Sequence, residues 1–441
     1  MAKVAILGLQ VGDEGKGKFV EYLTSLAQRS VPKDHFLNRI HNIDRLPKDI
    51  QRQMKKHILT YRWQGGANAG HTIPYKDGSV IAHLLPSSIV NPNAFCFMGA
   101  GMLIHMRKAV KEILELRDLG VHVGPDNLGI SSEAHVTLDF HTNEDKKNFD
   151  LSEHTTTGNG ISQTASAKFA YKGIRFCEFL DKKAFIRALT HIRVPSPEAV
   201  VQSYEKEREF LKSFLCEEWR VFRDPRFVHW IGEGAQGACL DIDYGMYPGV
   251  TASSPTRPTH RPETLIGVTK LYTSSVGIGN RAFVEEMPEK VQDAVRKQWQ
   301  EFGATTGKPR HIGYYNVLHV KRMIALTHVD HIVGSCLDRL EDLGKLGLPL
   351  KICIGYELEG KEYFEWDAEF DKRFILKEAK PIFEVLPSWT KTVDDNGQLH
   401  PNAKNYINRL EHHLGMKFSL IGIGPRNKDI VIKEDLSPLF R

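Results

Sequence analysis

The chain has 441 residues, with 59 lysines and arginines against 54 aspartates and glutamates, so its formal net charge is +5. This excess is too dilute over such a length to indicate a nucleic-acid-binding arm. Hydrophobic residues make up 41% of the chain and charged residues 26%, a globular balance that argues against disordered, collagen-like and coiled-coil proteins.

The first predicted element is a buried strand over residues 3–9, where the apolar run is nearly continuous. A glycine-rich turn follows, and apolar residues at helical spacing then predict a helix over 19–30. Further buried strands are predicted at 79–85, 94–99, 227–232, 265–272 and 331–337, amphipathic helices at 106–119 and 198–222, and a β-hairpin at 351–367. This alternation predicts an α/β fold with a mostly parallel central sheet flanked by helices.

Residues 29–60 differ from the rest because they are basic, polar and interrupted by two prolines. They predict an inserted surface lobe with one or two short helices. We expect a single domain over residues 1–441 with this lobe inserted in it.

The cysteines and the N-terminus indicate where the protein resides. The six cysteines lie far apart without a Cys-X-X-Cys pair, so neither a zinc site nor a disulfide framework is indicated. We expect buried free thiols in a reducing compartment. The apolar run at 3–9 is too short for a signal sequence or a membrane span. The sequence therefore predicts a soluble, cytoplasmic protein.

The strongest chemical motif is the glycine-rich turn at residues 8–18, between the first strand and the first helix. Its glycines let backbone N–H groups approach phosphate oxygens, and the following helix N-terminus favours anions. Lys16 and Lys18 add positive charge, and Asp13 is a candidate base or Mg²⁺ ligand. The turn is not a Walker A motif, because Phe19 follows Lys18. A purely structural turn is the alternative.

Two further loops are rich in small and hydroxyl residues. Residues 64–72 combine glycines with Asn68 and His71, which offer side-chain hydrogen bonds, and loops on a rigid sheet often carry function. Residues 155–160 form a threonine- and glycine-rich loop suited to phosphate, with a flexible surface loop as the alternative.

Three later motifs complete the set. Residues 233–251 follow the predicted strand at 227–232, and α/β proteins bind ligands at the carboxyl ends of such strands. Residues 303–310 offer threonines and cations for a carboxylate or phosphate, with Arg310 able to pair through two nitrogens. Asp338 follows the last buried strand and could accept hydrogen bonds from a guanine base.

Taken in order, these motifs resemble those of the adenylosuccinate synthetase family. Residues 8–18 are similar to the family's GxQWGDEGKGK, 64–72 to GGxNAGHT, 233–251 to EGAQGxxLDIDxGxYPxVT, 303–310 to TTGRPR and 335–338 to TKLD, while Gly424-Pro425 resembles a C-terminal base-binding turn. The resemblance extends from residue 3 to about residue 430 and thus covers nearly the whole chain.

The resemblance implies a P-loop-NTPase-like fold with inserted helical lobes and small β-hairpins. It implies a homodimeric ligase of purine biosynthesis that joins L-aspartate to carbon 6 of IMP, driven by GTP cleavage with Mg²⁺. Asp13 would be the base and a metal ligand, and Gly70 would give its carbonyl to the metal. Lys16 and His71 would stabilise the transferring phosphoryl group, and Gln236 would face the purine's 6-position.

The resemblance also implies three groups of binding residues. The nucleotide and its phosphates would be held by Gly12, Glu14, Gly15, Gly17, Lys18, Asn68, Thr156, Thr157, Thr251, Val276 and Lys308. The substrate aspartate would be held by Thr305, Thr306 and Arg310. The donor base would be held by Asp338, Gly424 and Pro425.

Several positions depart from the family pattern. Val11 replaces a tryptophan, Glu21 an aspartate near the nucleotide, Lys308 the arginine of TTGR and Cys336 the lysine of TKLD. Tyr171 aligns near the arginine that a neighbouring subunit usually lends to the phosphate. Specificity is a difference of affinities set by pocket geometry, so these changes bear on the substrates more than on the chemistry.

Because Cys336 replaces the lysine of TKLD, ATP could take the place of GTP as the donor. Two further alternatives remain. One is a 2-aminoadenylosuccinate synthetase of the viral type, which uses dGMP, aspartate and ATP. The other is a non-catalytic nucleotide-binding relative. Retention of Asp13, Lys16, His71 and Gln236 argues against the second alternative, because a binding module needs neither a base nor an acid.

Overall fold

The computed structural model of the chain describes residues 1–31, 56–76, 78–147, 156–276, 284–303, 307–372 and 375–441. Its strands are β1 (Ala2–Gly8), β2 (Ile58–Arg62), β3 (Gly65–Gly66), β4 (His71–Tyr75), β5 (Gly78–Ala82), β6 (Ala94–Met98), β7 (Met102–His105), β8 (Leu128–Ser131), β9 (His135–Thr137), β10 (Leu215–Cys216), β11 (His229–Glu233), β12 (Thr264–Lys270), β13 (Thr273–Ser275), β14 (His311–Gly313), β15 (Tyr315–Asn316), β16 (His331–Ser335), β17 (Leu350–Leu358), β18 (Lys361–Tyr363), β19 (Lys380–Leu386), β20 (Phe418–Gly422) and β21 (Ile430–Ile432).

The α-helices are α1 (Lys16–Ser30), α2 (Met106–Asp118), α3 (Asp139–Lys147), α4 (Ile161–Phe169), α5 (Phe176–Leu180), α6 (Lys182–His191), α7 (Pro197–Ser203), α8 (Glu205–Leu211), α9 (Glu218–Val221), α10 (Glu289–Arg296), α11 (Val317–Thr327), α12 (Glu341–Lys345) and α13 (Pro401–Leu414). Short 3-10 turns lie at Ser87–Val90, Lys212–Phe214, Ala238–Leu240, Asp338–Leu340, Ala368–Asp371, Ile375–Lys377 and Ser437–Phe440.

Among the residues that the structure describes, the central sheet has 10 strands in the order β10-β8-β6-β2-β11-β1-β12-β16-β20-β21. Its neighbouring strands run parallel, except for the antiparallel pair of β20 and β21 at one edge. Strands β2 and β6 are buried along their whole length, as expected for a parallel sheet covered on both faces. The predicted α/β class with a mostly parallel sheet is confirmed.

Most predicted strands are confirmed, since the predictions at 3–9, 94–99, 227–232, 265–272 and 331–337 correspond to β1, β6, β11, β12 and β16. The strand predicted at 79–85 is confirmed as β5, but the prediction that it is buried is wrong. There β5 pairs antiparallel with β4 in a separate two-stranded hairpin. Its Ile81 is exposed between buried Val80 and Ala82, so this apolar run belongs to a half-exposed strand.

The remaining element predictions are confirmed in part. The helix predicted at 106–119 is α2, and the hairpin at 351–367 is formed by β17 and β18. The helix predicted at 198–222 is broken into α7, α8 and α9, with a 3-10 turn and β10 between the last two. Within the predicted lobe at 29–60, residues 32–55 lie outside the described residues, while residues 58–60 belong to β2 of the central sheet.

Helix α1 is held against the sheet by its apolar face. Phe19, Val20 and Leu23 pack with Val4 and Ile6 of β1 in one buried cluster. Burying side chains of this size contributes about 1.5–3 kcal/mol each. This packing fixes the N-terminus of α1 at the carboxyl end of β1, and the glycine-rich turn joins the two.

All six cysteines are free thiols, but they are not all buried as expected. Cys96, Cys239 and Cys353 are buried, whereas Cys177 is exposed on α5, whose buried side is formed by Phe176 and Phe179. Within the described ranges, the helices are too short or too polar to cross a bilayer.

Candidate active site

The predicted motifs meet at the carboxyl edge of five adjacent strands. The segments 9–15, 63–70, 234–237, 271–276 and 336–339 follow β1, β2, β11, β12 and β16, respectively. They border a cleft of about 500 Å³. Ligands of open parallel sheets bind in a crevice at this edge.

Most of the predicted site residues line this cleft. They are Gly12, Asp13, Gly15, Lys16, Gly17, Asn68, Gly70, His71, Thr156, Thr157, Gln236, Thr251, Val276, Lys308 and Arg310. Glu14, Lys18, Asp338, Gly424 and Pro425 are described but do not line it. Thr305 and Thr306 lie outside the described residues.

Glu14 shapes the glycine-rich turn from inside. Its side chain is fully buried, and its Oε1 accepts hydrogen bonds from the backbone N–H groups of Gly12 at 2.8 Å and Gln10 at 3.2 Å. Its Oε2 forms an ion pair with Lys16 Nζ at 2.6 Å. The carboxylate therefore holds both the turn and the first lysine of α1 in place.

The N-terminus of α1 is built to receive an anion. Gly15 precedes the helix with a φ of 79°, and the first turn of the helix contains Lys16 and Lys18 without an acidic residue. Cations at the positive end of the helix dipole are unfavourable on their own. A phosphate bound at the free N–H groups would reverse this effect, so the local charge favours an anionic ligand.

Asp13 lies in the same turn and is paired with Arg310. Its φ of 59° is in the left-handed region, and its Oδ2 lies 2.6 Å from Arg310 Nη2. Arg310 also binds Glu301, with Nη1 at 2.8 Å from Oε2. Burial opposes the charge on Arg310, but Asp13 and Glu301 raise its pKa above the ordinary value. A candidate base and a candidate carboxylate-binding arginine are thus in direct contact.

His71 and Glu233 form a buried pair at the edge of the cleft. His71 Nδ1 and Glu233 Oε1 are hydrogen-bonded, and Glu233 also accepts from Ser87 N at 2.6 Å and Ser87 Oγ at 2.5 Å. Burial raises the pKa of Glu233, but His71 and Arg62 outweigh it and hold that pKa at about 2. Burial lowers the pKa of His71.

This pairing assigns the ring nitrogens of His71. Because an ionised carboxylate only accepts hydrogen bonds, Nδ1–H donates to Glu233 and Nε2 is left for the cleft. The sequence-based predictions did not include Glu233. Its position at the end of a buried strand, as the first residue of the motif 233–251, is the signal that could have identified it.

Gln236 and Asn68 have buried polar atoms without hydrogen-bond partners among the described residues. Gln236 has a φ of 52°, and both of its side-chain amide atoms are buried without a hydrogen-bond partner among the described residues. The Oδ1 of Asn68 is likewise buried and unpaired, while its Nδ2 lies 3.4 Å from Thr251 Oγ1. An unpaired buried polar group costs about 1–3 kcal/mol, so a bound ligand is the natural partner for these amides.

The predicted phosphate loop is held by an aspartate that the sequence did not single out. Asp145 of α3 accepts hydrogen bonds from Thr156 Oγ1 and from the backbone N–H of Gly160, both at 2.8 Å. Asn159 Nδ2 donates to Thr157 Oγ1 at 2.9 Å. Asp145 also lines the cleft, on a polar helix that offered no motif to predict it.

The predicted donor-base residues meet around Lys18. Lys18 Nζ donates to the backbone oxygens of Gly424 at 2.6 Å and Asp429 at 2.7 Å. Burial lowers the pKa of Lys18, while the nearby charge of Asp338 opposes that shift. Burial also raises the pKa of Asp338. These residues therefore form a second group that does not line the main cleft.

The positions that depart from the family pattern lie in different places. Lys308 and Cys336 line the cleft, as does Val11. Glu21 does not line it, and its side chain approaches Ser25 on the same helix at 3.5 Å. Tyr171 is 93% exposed and borders a separate surface depression.

Comparisons with known proteins agree on one family. Residues 49–431 match the family model described as adenylosuccinate synthetase. The adenylosuccinate synthetase of Caldanaerobacter subterraneus is 31% identical, over 98% of this chain and 99% of that protein. The adenylosuccinate synthetase of Chlorobaculum tepidum is 30% identical, over 97% of each chain.

Two solved structures are similar. Fully ligated adenylosuccinate synthetase from Plasmodium falciparum has a TM-score of 0.79 at 26% identity, over 98% of this chain and all of that one. Cyanophage S-2L succinoaminodeoxyadenylate synthetase, bound to dGMP and dATP, has a TM-score of 0.57 at 17% identity, over 100% of this chain and 99% of that one. The second similarity is one of fold alone.

Proposed function

The chain belongs to the adenylosuccinate synthetase family and is a ligase, and from this premise we propose that it joins L-aspartate to carbon 6 of IMP with cleavage of GTP. The observation that carries the proposal is the convergence of Asp13, Lys16, His71 and Gln236 on one cleft. A binding module would require neither the base nor the buried His71–Glu233 pair.

The reaction divides one difficult substitution into two steps. Asp13 takes the proton from N1 of the purine, and the resulting 6-oxyanion attacks the γ-phosphorus of GTP, so that GDP leaves. The product of this step is a 6-phosphoryl nucleotide. The amine of aspartate then attacks carbon 6, and inorganic phosphate leaves with the original 6-oxygen. Phosphorylation is needed because the free oxyanion is a poor leaving group.

The residues around Asp13 stabilise the charge on the transferring phosphoryl group. Lys16 supplies a fixed cation, held between Glu14 at 2.6 Å and the backbone oxygen of Gln236 at 2.6 Å. His71 would donate from Nε2 in its protonated form, which the negative charge of the phosphoryl group favours. Preorganised donors of this kind usually make the largest electrostatic contribution to catalysis.

The remaining predicted residues are proposed to bind substrates. The acceptor nucleotide would be held by Gly12, Gly15, Gly17, Asn68, Thr156, Thr157, Thr251, Val276 and Lys308, with Glu14 supporting the turn. Aspartate would be held by Arg310 together with Thr305 and Thr306. The donor base would be held by Asp338, Gly424 and Pro425, and Lys18 donates to the backbone oxygen of Gly424.

The donor set of the cleft fits Mg²⁺. Asp13 offers a carboxylate and Gly70 a backbone carbonyl, both on the lining of the cleft. Mg²⁺ usually takes one or two protein carboxylates together with phosphate oxygens and water, so a larger cluster is not needed. When bound, the ion would neutralise charge on the phosphates of the donor. The family resemblance also favours a cytoplasmic location and a homodimer, and light scattering of the purified chain would test the dimer.

A substrate matrix tests the proposed function. The full chain is incubated with aspartate, Mg²⁺, either IMP or dGMP, and either GTP or ATP, and the succinylated product and phosphate are measured. We expect the highest kcat/KM with IMP and GTP, and no turnover by Asp13→Asn although it remains folded. Selective use of dGMP with ATP would establish the alternative substrate set instead. Absence of product from every mixture would indicate a nucleotide-binding relative.

A further inference from the structure

Arg339 lines the cleft but was not among the predicted site residues. It lies in the 3-10 turn that follows β16. Its Nη1 donates to Tyr272 Oη at 2.6 Å and to Glu301 Oε1 at 2.9 Å. Both of these partners are fully buried, whereas the side chain of Arg339 is 27% exposed. One end of the guanidinium group is therefore anchored in the protein interior.

The rest of the guanidinium group is left for another partner. Within the part of the chain that the structure describes, Arg339 Nη2 and Nε make no hydrogen bond. A guanidinium group pairs best with a planar anion through two parallel N–H groups. The anchored Arg339 is thus oriented in advance for such an anion in the cleft.

Glu301 places a second arginine next to Arg339. Its Oε1 binds Arg339 at 2.9 Å, and its Oε2 binds Arg310 at 2.8 Å. Lys270 Nζ also lies 3.0 Å from Oε1. Moving either arginine away would leave the buried carboxylate of Glu301 without a partner, which is energetically costly. Glu301 therefore holds the two guanidinium groups at a fixed spacing.

The cluster has hydrogen-bond donors left for an anion. Among the described residues, its three cations, Lys270, Arg310 and Arg339, are ion-paired with the carboxylates of Glu301 and Asp13, and the charge of Asp338 also acts on Arg339. Arg310 Nε is also buried without a partner among the described residues. Buried donors are normally paired, so an acceptor is missing at Arg310.

We propose that Arg339 and Arg310 form a two-arginine subsite for a short dicarboxylate, with one carboxylate of L-aspartate at each guanidinium group. The two groups share one carboxylate of the protein, and the carboxylates of aspartate are separated by only two carbon atoms, so one molecule can reach both. This inference rests on the proposed function, which places aspartate at Arg310, and it adds Arg339 as a specificity-determining residue.

Steady-state kinetics of Arg339→Gln and Arg339→Lys test the subsite. We expect Arg339→Gln to raise the KM for aspartate by ~10- to 100-fold, with the KM values of both nucleotides within about twofold, because one charge-assisted interaction is lost. Arg339→Lys should recover part of the lost affinity for aspartate, since it keeps the positive charge but not the two parallel N–H donors. The matched control is Arg220→Gln, at a side chain that is 68% exposed and paired with Glu217 outside the cleft.

A binding experiment separates this inference from the proposed function. Calorimetry with succinate and propionate in the presence of IMP compares a dicarboxylate with a monocarboxylate. We expect the wild type to prefer succinate at least tenfold, and Arg339→Gln to lose that preference. An unchanged aspartate KM, or a rise in the KM of the nucleotide donor alone, would overturn the inference. If the wild type forms no product, the proposed function is wrong. In that case the preference for succinate over propionate still shows whether the two arginines bind a dicarboxylate.

Discussion

Replacing Glu233 with glutamine is expected to slow turnover by ~100- to 1,000-fold, the usual range when one donor that stabilises transition-state charge is lost. Glu233 does not line the cleft, and it acts through His71. In the structure, Glu233 Oε2 accepts from Ser87 N at 2.6 Å, and Oε1 accepts from Ser87 Oγ at 2.5 Å and from His71 Nδ1. Both oxygens are therefore used as acceptors.

The amide of glutamine can replace only one of these oxygens. A backbone N–H cannot become an acceptor, so the amide oxygen must stay opposite Ser87 N and the NH₂ group must face His71. The neutral ring then keeps its proton on Nε2, and a protonated ring would place two donors against each other without a counter-charge. At 1.36 kcal/mol for each tenfold change in rate, the expected loss corresponds to about 2.7–4 kcal/mol.

The assay measures kcat and each KM, with thermal unfolding as a check on the fold. The matched control is Glu263→Gln, at a side chain that is 58% exposed and 4.0 Å from Lys3. We expect Glu233→Gln to lower kcat while KM values change little. A folded Glu233→Gln protein with kcat within about threefold of the wild type would refute the role assigned to the pair.

Three other substitutions test separate parts of the structure. In Gly237→Ala, the new Cβ would lie 2.3 Å from the backbone oxygen of Gln10, so we expect the turn to be displaced. The free energy of unfolding, measured by urea denaturation, should fall by ~1–3 kcal/mol. Burial raises the pKa of Glu285 from about 4.5 to about 8, so the folded state binds that proton more tightly and stability falls as pH rises between these values. Denaturation at about pH 6 and about pH 9 should show that the free energy of unfolding declines less in Glu285→Gln than in the wild type. Lys18→Met removes the hydrogen bonds to the backbone oxygens of Gly424 and Asp429 and should raise the KM of the donor by ~10-fold without changing that of IMP.

The sequence was most informative where function depends on local pattern. Two elements could be predicted: the glycine-rich turn between β1 and α1, and the buried strand before Gln236. In both, the local spacing of glycine or apolar residues is enough to define the element. Their meeting at one sheet edge also follows, since parallel strands present their carboxyl ends on the same side.

Burial of polar residues explains one element that was missed. Strand β2 contains Thr60 and Arg62, and a pattern that treats polar residues as exposed does not predict a central strand there. In the structure both are fully buried: Thr60 Oγ1 lies 3.3 Å from Cys96 Sγ, and Arg62 Nη1 donates to the backbone oxygen of His83. Arg62 Nε and Nη2 have no hydrogen-bond partner among the described residues.

Long-range contacts explain the missed site residues. Lys270, Glu301 and Arg339 are separated by about thirty to seventy positions and converge only after β12, β16 and the segment before Arg310 are packed together. No local spacing connects them. Glu233 was missed for a similar reason, because its partner His71 lies on a different strand.

The central claim, that the 6-oxygen of IMP leaves as phosphate, can be measured directly. IMP labelled with ¹⁸O at carbon 6 is converted by the full chain with aspartate, GTP and Mg²⁺, and the released phosphate is examined by mass spectrometry. The mechanism predicts one labelled oxygen in each phosphate formed with product. Unlabelled phosphate released together with succinylated product would contradict it.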